Sequence, residues 1–410
     1  MKFEFFLAKR IISAKAYKSS ISAPIIKIGI VAIALSVIVM LVSISTGIGL
    51  QNEIRDKVSA FNGHIKISNF DNNNSEESLS PINVSKTLIQ GLDSINNIKS
   101  INQTALKFGI IRTSEDFDGA LFKGVDSTYS WANISEYIIS GLRPNITSLT
   151  SNEVLISDNL SNKLDLKIND SFQMIFSRNL ESKVIIRKFN IVGLYDSGFN
   201  EIDENIIFGD IKHLRRINNW GNNQSGELEI FIYDFNLIRE TSKKIYEYTP
   251  SNYNSVNIKQ KYSSIFDWIQ IFDKNIIAIL FIMALVCSIN IISVLLVLIL
   301  ERTNMIGILK SMGADNRSIK RVFLIIVSYI IFLGLLMGNV LGLCFLFVQK
   351  KFSLVKLDPE IYYTSHVPVY LSFDYVFILN LFTFLVCLFS IAVPSYLISK
   401  ISPIDSIKFR

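Results

Sequence analysis

Four stretches of this chain contain no Asp, Glu, Lys or Arg: Ile28 to Leu50, Ile276 to Leu300, Val322 to Val348 and Tyr375 to Ile398. Each exceeds the roughly 20 apolar residues that, at helical rise, cross the ~30 Å hydrocarbon core of a bilayer. Each is therefore expected to be a transmembrane helix. In Ile276 to Leu300 most positions are Ile, Leu, Val or Phe. At central-position values they favour insertion by about 5 to 11 kcal/mol, an upper figure because residues near the ends gain less. That outweighs Ser288, Asn290 and Ser293.

Between the first two runs the pattern changes. Residues 51–274 are polar, Asn- and Ser-rich, and long enough for a folded domain. HIKISNF, SINQTALKFGIIRT, GALFKGV, KVIIRKFNIVGLY and LEIFIYDF read as strands. VSKTLIQGLDSI and LIRETSKKIYEY read as helices, which makes an α+β pattern. DNNNSEESLSP is a solvated loop lacking the glycine and terminal glutamate of a calcium-binding EF-hand. The fold class expected is therefore an α-helical membrane protein with four transmembrane helices and a large α+β domain inserted between TM1 and TM2. The expected boundaries are an amphipathic N-terminal helix at 1–24, TM1 at 25–50, the domain at 51–274 and TM2 at 275–300. A connecting loop follows at 301–321, then TM3 at 322–348, a short loop at 349–374, TM4 at 375–398 and a tail at 399–410.

Charge orients this arrangement. The net charge of +6 reads as a topology signal and not as nucleic-acid binding. The segment ahead of the first run carries Lys2, Lys9, Arg10, Lys15, Lys18 and Lys27 against Glu4, so the positive-inside rule places the N-terminus in the cytoplasm. A cleaved signal peptide would have a shorter apolar region, so the first run is expected to remain as an anchor, with Pro24 in its first turn. Four crossings then put both termini and 301–321 inside and the large domain outside. The inside loop has five basic residues against two acidic ones. Lys350, Lys351 and Lys356 in the outer loop run against this pattern. Cys287, Cys344 and Cys387 all fall in apolar runs, leaving no disulfide framework or cysteine zinc site to expect.

Gly334, Gly338 and Gly342 form a GxxxGxxxG row, a flat stripe on which another helix backbone can sit closely. Ala32 and Ser36 on the first helix, with Ser43 and Gly47, offer a looser small-residue row. Asn339 and Asn290 would leave amides unsatisfied in lipid and should face protein or a cavity.

Catalytic chemistry finds no residues to carry it. The chain has no GxxxxGK[ST], GxSxG or HExxH, and His64, His213 and His366 are far apart. The acidic cluster GFNEIDENIIFGD reads as a solvated turn. The spanning runs carry no ionisable relay of the kind an ion-coupled carrier uses. No catalytic residue, no metal ligand and no cofactor is assigned, and energy for any transport must come from elsewhere.

The segment ERTNMIGILKSMGADNRSIKR is the remaining candidate. Met305, Ile308, Leu309 and Met312 fall at i, i+3, i+4 and i+7, one apolar helical face. Lys310 sits in the last turn, where the helix dipole favours it. Gly313 is placed for a left-handed stop, and Asp315 for the cap of a new helix running into TM3. Periodicity alone leaves two readings open, a connector resting on the membrane surface and a docking element for a cytosolic partner.

The arrangement resembles the permease subunits of lipoprotein-releasing ABC transporters, the LolC/LolE family within the FtsX/MacB-like superfamily. Three regions carry the resemblance. GIGLQNEIRDKVSAFNGHIKIS holds Glu53, Arg55, Phe61, Asn62 and His64 in the family's places. GALFKGVD, EVLISDNLSNKLDLKINDSF and FNIVGLYDSGFNEIDENIIF are similar to segments of the family's external domain. INIISVLLVLILERTNMIGILKSMGA resembles its second helix and the following loop. The resemblance implies a MacB-like periplasmic domain, a bacterial inner-membrane location and a homo- or heterodimer of permeases over cytosolic ABC ATPase subunits. ATP and Mg would bind on those partners, not on this chain. The coupling helix would comprise Glu301, Arg302, Met305, Ile308, Leu309, Lys310, Met312 and Gly313. Cargo would be a lipoprotein passed from the outer leaflet to a periplasmic chaperone, with Ile28 to Leu50 and Ile276 to Leu300 lining the lipid-facing opening. Arg302, Thr303 and Asn304 depart from a more usual Lys-rich start. No chaperone-binding loop is recognisable.

Three other functions fit less well. An FtsX-type mechanotransmission regulator of cell-wall hydrolases usually carries a smaller external domain. A MacB-type efflux permease commonly carries a fused ATPase, although split versions exist. A membrane enzyme lacks its motifs.

Overall fold

The computed structural model describes residues 2–13, 22–72, 75–178 and 183–400. Residues 14–21 of the expected N-terminal helix and 401–410 of the expected tail lie outside the described residues. The chain opens with α1 (Lys2–Ser13), α2 (Ser22–Asn62), β1 (Ile65–Asn69), β2 (Ile82–Asn83), α3 (Lys86–Asp93), β3 (Ile98–Arg112), β4 (Phe117–Val125) and β5 (Ile138–Gly141). There follow β6 (Glu153–Ser157), α4 (Asp158–Lys163), β7 (Ser171–Arg178), β8 (Lys183–Tyr195), α5 (Asn200–Asp203), β9 (Ile206–Asp210), α6 (Ile211–Ile217), β10 (Gln224–Ser225) and β11 (Glu227–Ile232). The remainder is α7 (Ile238–Tyr248), β12 (Tyr253–Asn257), α8 (Ile258–Lys261), α9 (Ser263–Glu301), α10 (Thr303–Ser311), α11 (Asn316–Phe352), α12 (Pro359–Tyr362), α13 (Phe373–Ser390) and α14 (Ala392–Lys400).

These elements form two units. Residues 1–51, 269–356 and 366–410 make a helical unit, and 52–268 with 357–365 make a mixed unit. In the helical unit, four helices are long and apolar enough to cross a membrane: Pro24–Asn62, Ser263–Glu301, Asn316–Phe352 and Phe373–Tyr396. The fold is an α-helical membrane protein with an α+β domain inserted between its first two spans.

The first three of these helices run for 37 to 39 residues. At 1.5 Å per residue that is about 56 to 59 Å, nearly twice the ~30 Å hydrocarbon core. The apolar runs mark only the membrane part. Past Leu50, α2 continues because Ile54, Val58 and Phe61 keep helical spacing and are fully buried. It stops where Gly63 takes φ +72° and its N–H bonds the Ser59 carbonyl at 2.8 Å. At the other border of the helical unit, Gln51 on α2 donates to Asp273 Oδ1 on α9 at 2.9 Å.

Gly334, Gly338 and Gly342 on α11 meet α2, as a close-packing row should. Ala32 and Ser36 are not among the atoms nearest this row. A Cβ at Gly334 would stand 2.7 Å from Ile33 Cβ, and one at Gly338 2.7 Å from Val37 Cβ and 2.9 Å from the Ala34 carbonyl oxygen. At Gly342 the nearest atom would be Leu41 Cδ1 at 3.1 Å. Large side chains of α2 thus fill the channel that the missing side chains of α11 open. Ser36 instead donates to the Ala32 carbonyl one turn back at 3.0 Å, satisfying its hydroxyl within its own helix.

The mixed unit is built on a ten-stranded sheet in the order β12-β1-β11-β3-β4-β9-β6-β8-β5, with β7 bridging β3 and β8. Most neighbours are antiparallel, while β4 with β9 and β6 with β8 run parallel. Its core stacks Phe122 on Phe189, centroids 4.9 Å apart, and closes around Phe176, Val154, Ile207 and Leu214. The segment 357–365, which lies between α11 and α13 in the chain, belongs to this unit. There Tyr363 stacks on Phe199 at 4.3 Å and 11°, and its carbonyl accepts from Lys57 Nζ at 3.1 Å.

The acidic cluster GFNEIDENIIFGD is not a solvated turn. Asp203 and Asp210 are buried, and Ile206–Asp210 is a central strand. Asp203 Oδ1 accepts from the Ser197 N–H at 3.0 Å, and Asp210 caps α6 through the Lys212 N–H at 2.9 Å. The carboxylates tolerate burial because backbone donors face them.

Candidate coupling site

A single residue, Arg302, separates α9 from α10. Its N–H still bonds the Leu298 and Ile299 carbonyls at 3.2 Å, so the chain turns there without losing its hydrogen bonding. The Thr303 hydroxyl donates to the Leu300 carbonyl at 2.8 Å and ties the corner. Glu301 is exposed and Arg302 half-buried.

The far end of α10 is a complete Schellman stop. The Gly313 N–H bonds the Lys310 carbonyl at 3.0 Å, and the Ala314 N–H bonds the Leu309 carbonyl at 2.9 Å. Gly313 has φ +89°, a region that favours glycine. Asp315 occupies the N-cap position of α11 but its side chain makes no capping bond, contrary to expectation. The Ser318 N–H that it would have bonded reaches the Asp315 backbone carbonyl instead, at 3.0 Å.

The four apolar residues Met305, Ile308, Leu309 and Met312 keep one face, within about 100° of arc, but it is unevenly covered. Leu309 packs on the helical core, and Met305 joins Phe3, Leu7 and Ala314 around a small apolar gap. Ile306, which sequence reasoning left out, is fully buried. Ile308 and Met312, at the uncovered side and end of that face, are 52% and 79% exposed. At about 100° per residue the apolar stripe from Ile308 to Ile306 spans roughly 160°, too wide for one contact. Half of it anchors α10 and half stays open. The open pair is i, i+4, one turn apart, flanked by exposed Asn304 and Ser311. Lys310 is half-buried, and burial with the nearby Lys320 charge holds its ammonium below the usual lysine range.

The anchoring half rests partly on α1. Leu7, Ala8 and Ile11 pack into the helical core, while Phe3, Phe5 and Phe6 are exposed. Glu4 is buried and faces Arg321 of α11 at 3.6 Å. The amphipathic helix expected at the N-terminus is thus fastened to the base of α11 as well as apolar on its outer side.

In the mixed unit the early motif residues each hold a joint. Arg55 lies over the Phe235 ring at 5.0 Å. Phe61 packs between Tyr137 and Tyr195. Asn62 Oδ1 accepts from the Tyr262 hydroxyl at 2.8 Å, and His64 Nδ1 accepts from the Ile232 N–H at 3.0 Å. Glu53 pairs with Lys57 at 3.7 Å. In YDSG the Tyr195 hydroxyl donates to the Ile206 carbonyl at 2.8 Å, and Gly198 takes φ +69° against Lys57 Nζ. These residues act as structural joints. His213 is likewise buried, at 2.9 Å from the Ser151 carbonyl.

Residues 277–403 match the FtsX-like permease C-terminal family. The lipoprotein-releasing system transmembrane protein LolC of Buchnera aphidicola subsp. Schizaphis graminum is 24% identical over 388 residues, 92% of each chain. That of Xylella fastidiosa strain 9a5c is 21% identical over 411 residues, 93% of each chain. Among solved structures, the extracellular domain of the noncanonic ABC-type transporter YknZ from Gram-positive bacteria is 17% identical, covering 47% of this chain and 99% of that one at TM-score 0.31. The periplasmic region of MacB from Actinobacillus actinomycetemcomitans is 12% identical, covering 50% and 92% at TM-score 0.33. With its four candidate spans, its inserted α+β domain and an overlap of 92 to 93% with LolC chains, this chain is similar to LolC-type ABC transporter permeases, and its residues 277–403 match the FtsX-like permease C-terminal family.

Proposed function

We propose that this permease couples ATP hydrolysis on separate cytosolic ATPase subunits to extraction of lipoproteins from the bacterial inner membrane. The observation that carries the coupling part is the exposed Ile308–Met312 pair on a helix closed by a glycine stop and joined to α9 through one residue. Similarity to LolC chains over 92% of the length supports the cargo. In this reading α10 faces the cytoplasm and seats in a groove of the ATPase, where ATP and Mg bind. Glu301, Arg302, Lys310 and Gly313 frame the seated face, and Met305 and Leu309 hold it to the helical unit.

Closure of two ATPases on nucleotide would push two α10 helices together. Because α9 runs unbroken from Glu301 back to Ser263, displacement at one end carries along its whole length. α2, unbroken to Asn62, offers a second rod. Both rods lead into the inserted domain, which lies in the periplasm in this orientation, with both termini in the cytoplasm. A second permease, identical or paralogous, completes the cavity from which the acylated protein passes to a periplasmic chaperone. The chain contacts membrane lipid and no nucleic acid.

Co-purification at native expression, followed by depletion, tests this. An ABC ATPase should accompany the chain, and depletion should strand outer-membrane lipoproteins in the inner membrane. Normal lipoprotein sorting with failed cell-wall cleavage would replace this reading with a hydrolase regulator. Normal sorting with lost drug or toxin export would replace it with an efflux permease.

A further inference from the structure

The mixed unit contains a cavity of ≈ 380 Å³ that no transport step above uses. Its apolar lining includes Leu106, Leu121, Phe199, Ile202 and Ile206. Three lysines, Lys66, Lys123 and Lys261, also line it. Lys123 is 1% exposed and donates to Glu229 Oε1 and to the Phe61 carbonyl, both at 2.6 Å. Lys66 reaches Glu227 Oε1 at 2.9 Å and Glu229 Oε1 at 3.4 Å. Two buried lysines therefore balance two buried glutamates. A closed balance of this kind is what burial of charge demands.

Lys261 stands outside that balance. It makes no ion pair among the described residues, and it sits at the exposed edge of the cavity with its ammonium crowded by protein. The Lys66 charge, then burial, brings its pKa down to about 8, against the upward pull of Glu227 and Glu229 and with a further downward push from Lys123. Glu76 is also on the rim, exposed, and Tyr262 lies beside Lys261.

We propose that this cavity binds an anionic amphiphile, with the acidic group on Lys261 and Lys66 and a single alkyl chain along Leu106, Leu121, Ile202 and Ile206. A phosphate or carboxylate there would relieve the Lys66–Lys261 repulsion, and the chain would cover the half-buried Leu121 and Ile206. The proposal does not rest on the cargo carried by the transporter. A charge-assisted bond contributes about 1.5 to 3 kcal/mol, which is roughly 10- to 150-fold in affinity.

The full chain in phosphatidylcholine nanodiscs is titrated calorimetrically with octyl phosphate, octanoate, inorganic phosphate and octyl glucoside. One saturable site per chain is expected for octyl phosphate or octanoate. Whichever is tighter identifies a phosphate headgroup or a fatty-acid carboxylate as the ligand. Inorganic phosphate should bind at least about tenfold more weakly, lacking the alkyl chain, each buried methylene of which strengthens binding about fourfold. Lys261→Gln should weaken binding by about tenfold or more and Glu76→Gln should tighten it, since both residues are exposed and neither replacement disturbs the buried pairs. Binding at pH 8 should take up protons, seen as heat that varies with the ionisation enthalpy of the buffer. No saturable site, equal binding of octyl glucoside, or indifference to both substitutions would overturn the proposal. Equal affinity for inorganic phosphate would reduce the site to an anion site and overturn the amphiphile.

Discussion

Asn339 on α11 and Asn380 on α13 exchange two amide hydrogen bonds inside the helical unit. Asn339 Nδ2 donates to Asn380 Oδ1 at 2.6 Å, and Asn380 Nδ2 donates back to Asn339 Oδ1 at 3.0 Å. Each second amide hydrogen goes to a carbonyl one turn back on its own helix, Leu335 and Val376, both at 2.7 Å. In an apolar surrounding this satisfies every amide donor. Replacing Asn339 by Leu should cost about 1 to 2 kcal/mol, because Asn380 is then left unpaired. The double change Asn339→Leu with Asn380→Leu should cost less than the sum of the singles, with a coupling of about 0.6 kcal/mol. Equilibrium unfolding in mixed detergent over the four variants measures this, and strict additivity would show the pair to be energetically idle.

The glycine row makes a graded prediction. At Gly338 an added methyl meets Val37 Cβ at 2.7 Å and the Ala34 carbonyl at 2.9 Å, atoms fixed to the α2 backbone. At Gly342 it meets the tip of Leu41 at 3.1 Å, which can rotate aside. Gly338→Ala should therefore destabilise the helical unit by about 1 to 3 kcal/mol, the usual cost of overpacking. Gly342→Ala should be nearly neutral. Thermal unfolding in detergent separates them, and equal shifts would mean that α2 and α11 do not pack along this row.

The divided face of α10 predicts two different failures. Met312→Asp places a charge where 79% of the side chain is exposed, so insertion and stability should be unchanged. If the exposed pair seats in the ATPase, stimulated ATP hydrolysis should fall at least about tenfold, in line with losing a hot-spot contact of about 2 kcal/mol or more. Leu309→Asp puts the same charge against the helical core and should lower the amount of folded chain before activity can be assayed. Reconstituted ATPase activity alongside folded yield distinguishes the two sites. Undiminished stimulation with Met312→Asp would remove α10 as the coupling element.

The sequence made some of this legible and concealed the rest. A run without charge that is long enough to cross the hydrocarbon core defines a span almost by itself, because lipid offers no partner for a charge. The Gly313 stop was legible for a similar reason, since few residues take a positive φ there. What stayed hidden depended on which side of an element is covered. Met305 and Met312 have the same apolar character, and only the packing around α10 decides that Met305 is half-buried and Met312 exposed. The acids of GFNEIDENIIFGD look solvated until the backbone donors facing Asp203 and Asp210 are known. The continuation of α2 to Asn62 was written in Ile54, Val58 and Phe61, a helical periodicity obscured by Glu53, Arg55, Asp56 and Lys57 between them.

Tyr363 holds a left-handed backbone, φ +57°, which costs a bulky residue about 1 to 2 kcal/mol. Its ring on Phe199 and its carbonyl on Lys57 offset that cost. Tyr363→Gly relieves the backbone but removes the stack, worth about 0.5 to 1.5 kcal/mol beyond area. Phe199→Leu keeps the backbone strain and loses the same stack. Hydrogen exchange across 357–365 should therefore quicken more in Phe199→Leu than in Tyr363→Gly. The reverse order would show that the stack does not hold this segment.

His64 makes stability depend on pH, with a sign fixed by its surroundings. Burial, then the charges of Arg55 and Lys99, lowers its pKa from 6.5 to about 4. Between those values the unfolded chain binds a proton that the folded chain refuses, so stability rises with pH across that window. The full effect is on the order of 3.4 kcal/mol, at 1.36 kcal/mol per unit. Asp203 works in the opposite direction. Burial raises its pKa from 3.8 to about 6, so its folded form keeps a proton that the unfolded chain releases, and its contribution falls as pH rises through that window. The wild-type profile from pH 4 to 6 should then be shallow, a difference of two opposed slopes, and should rise between 6 and 6.5. His64→Gln leaves an oxygen to accept from Ile232 and removes one of the two slopes. Its stability should fall with pH between 4 and 6 and show no rise above 6. Chemical denaturation at half-unit steps from pH 4 to 7 reads both curves, and parallel profiles would mean that His64 titrates alike in both states.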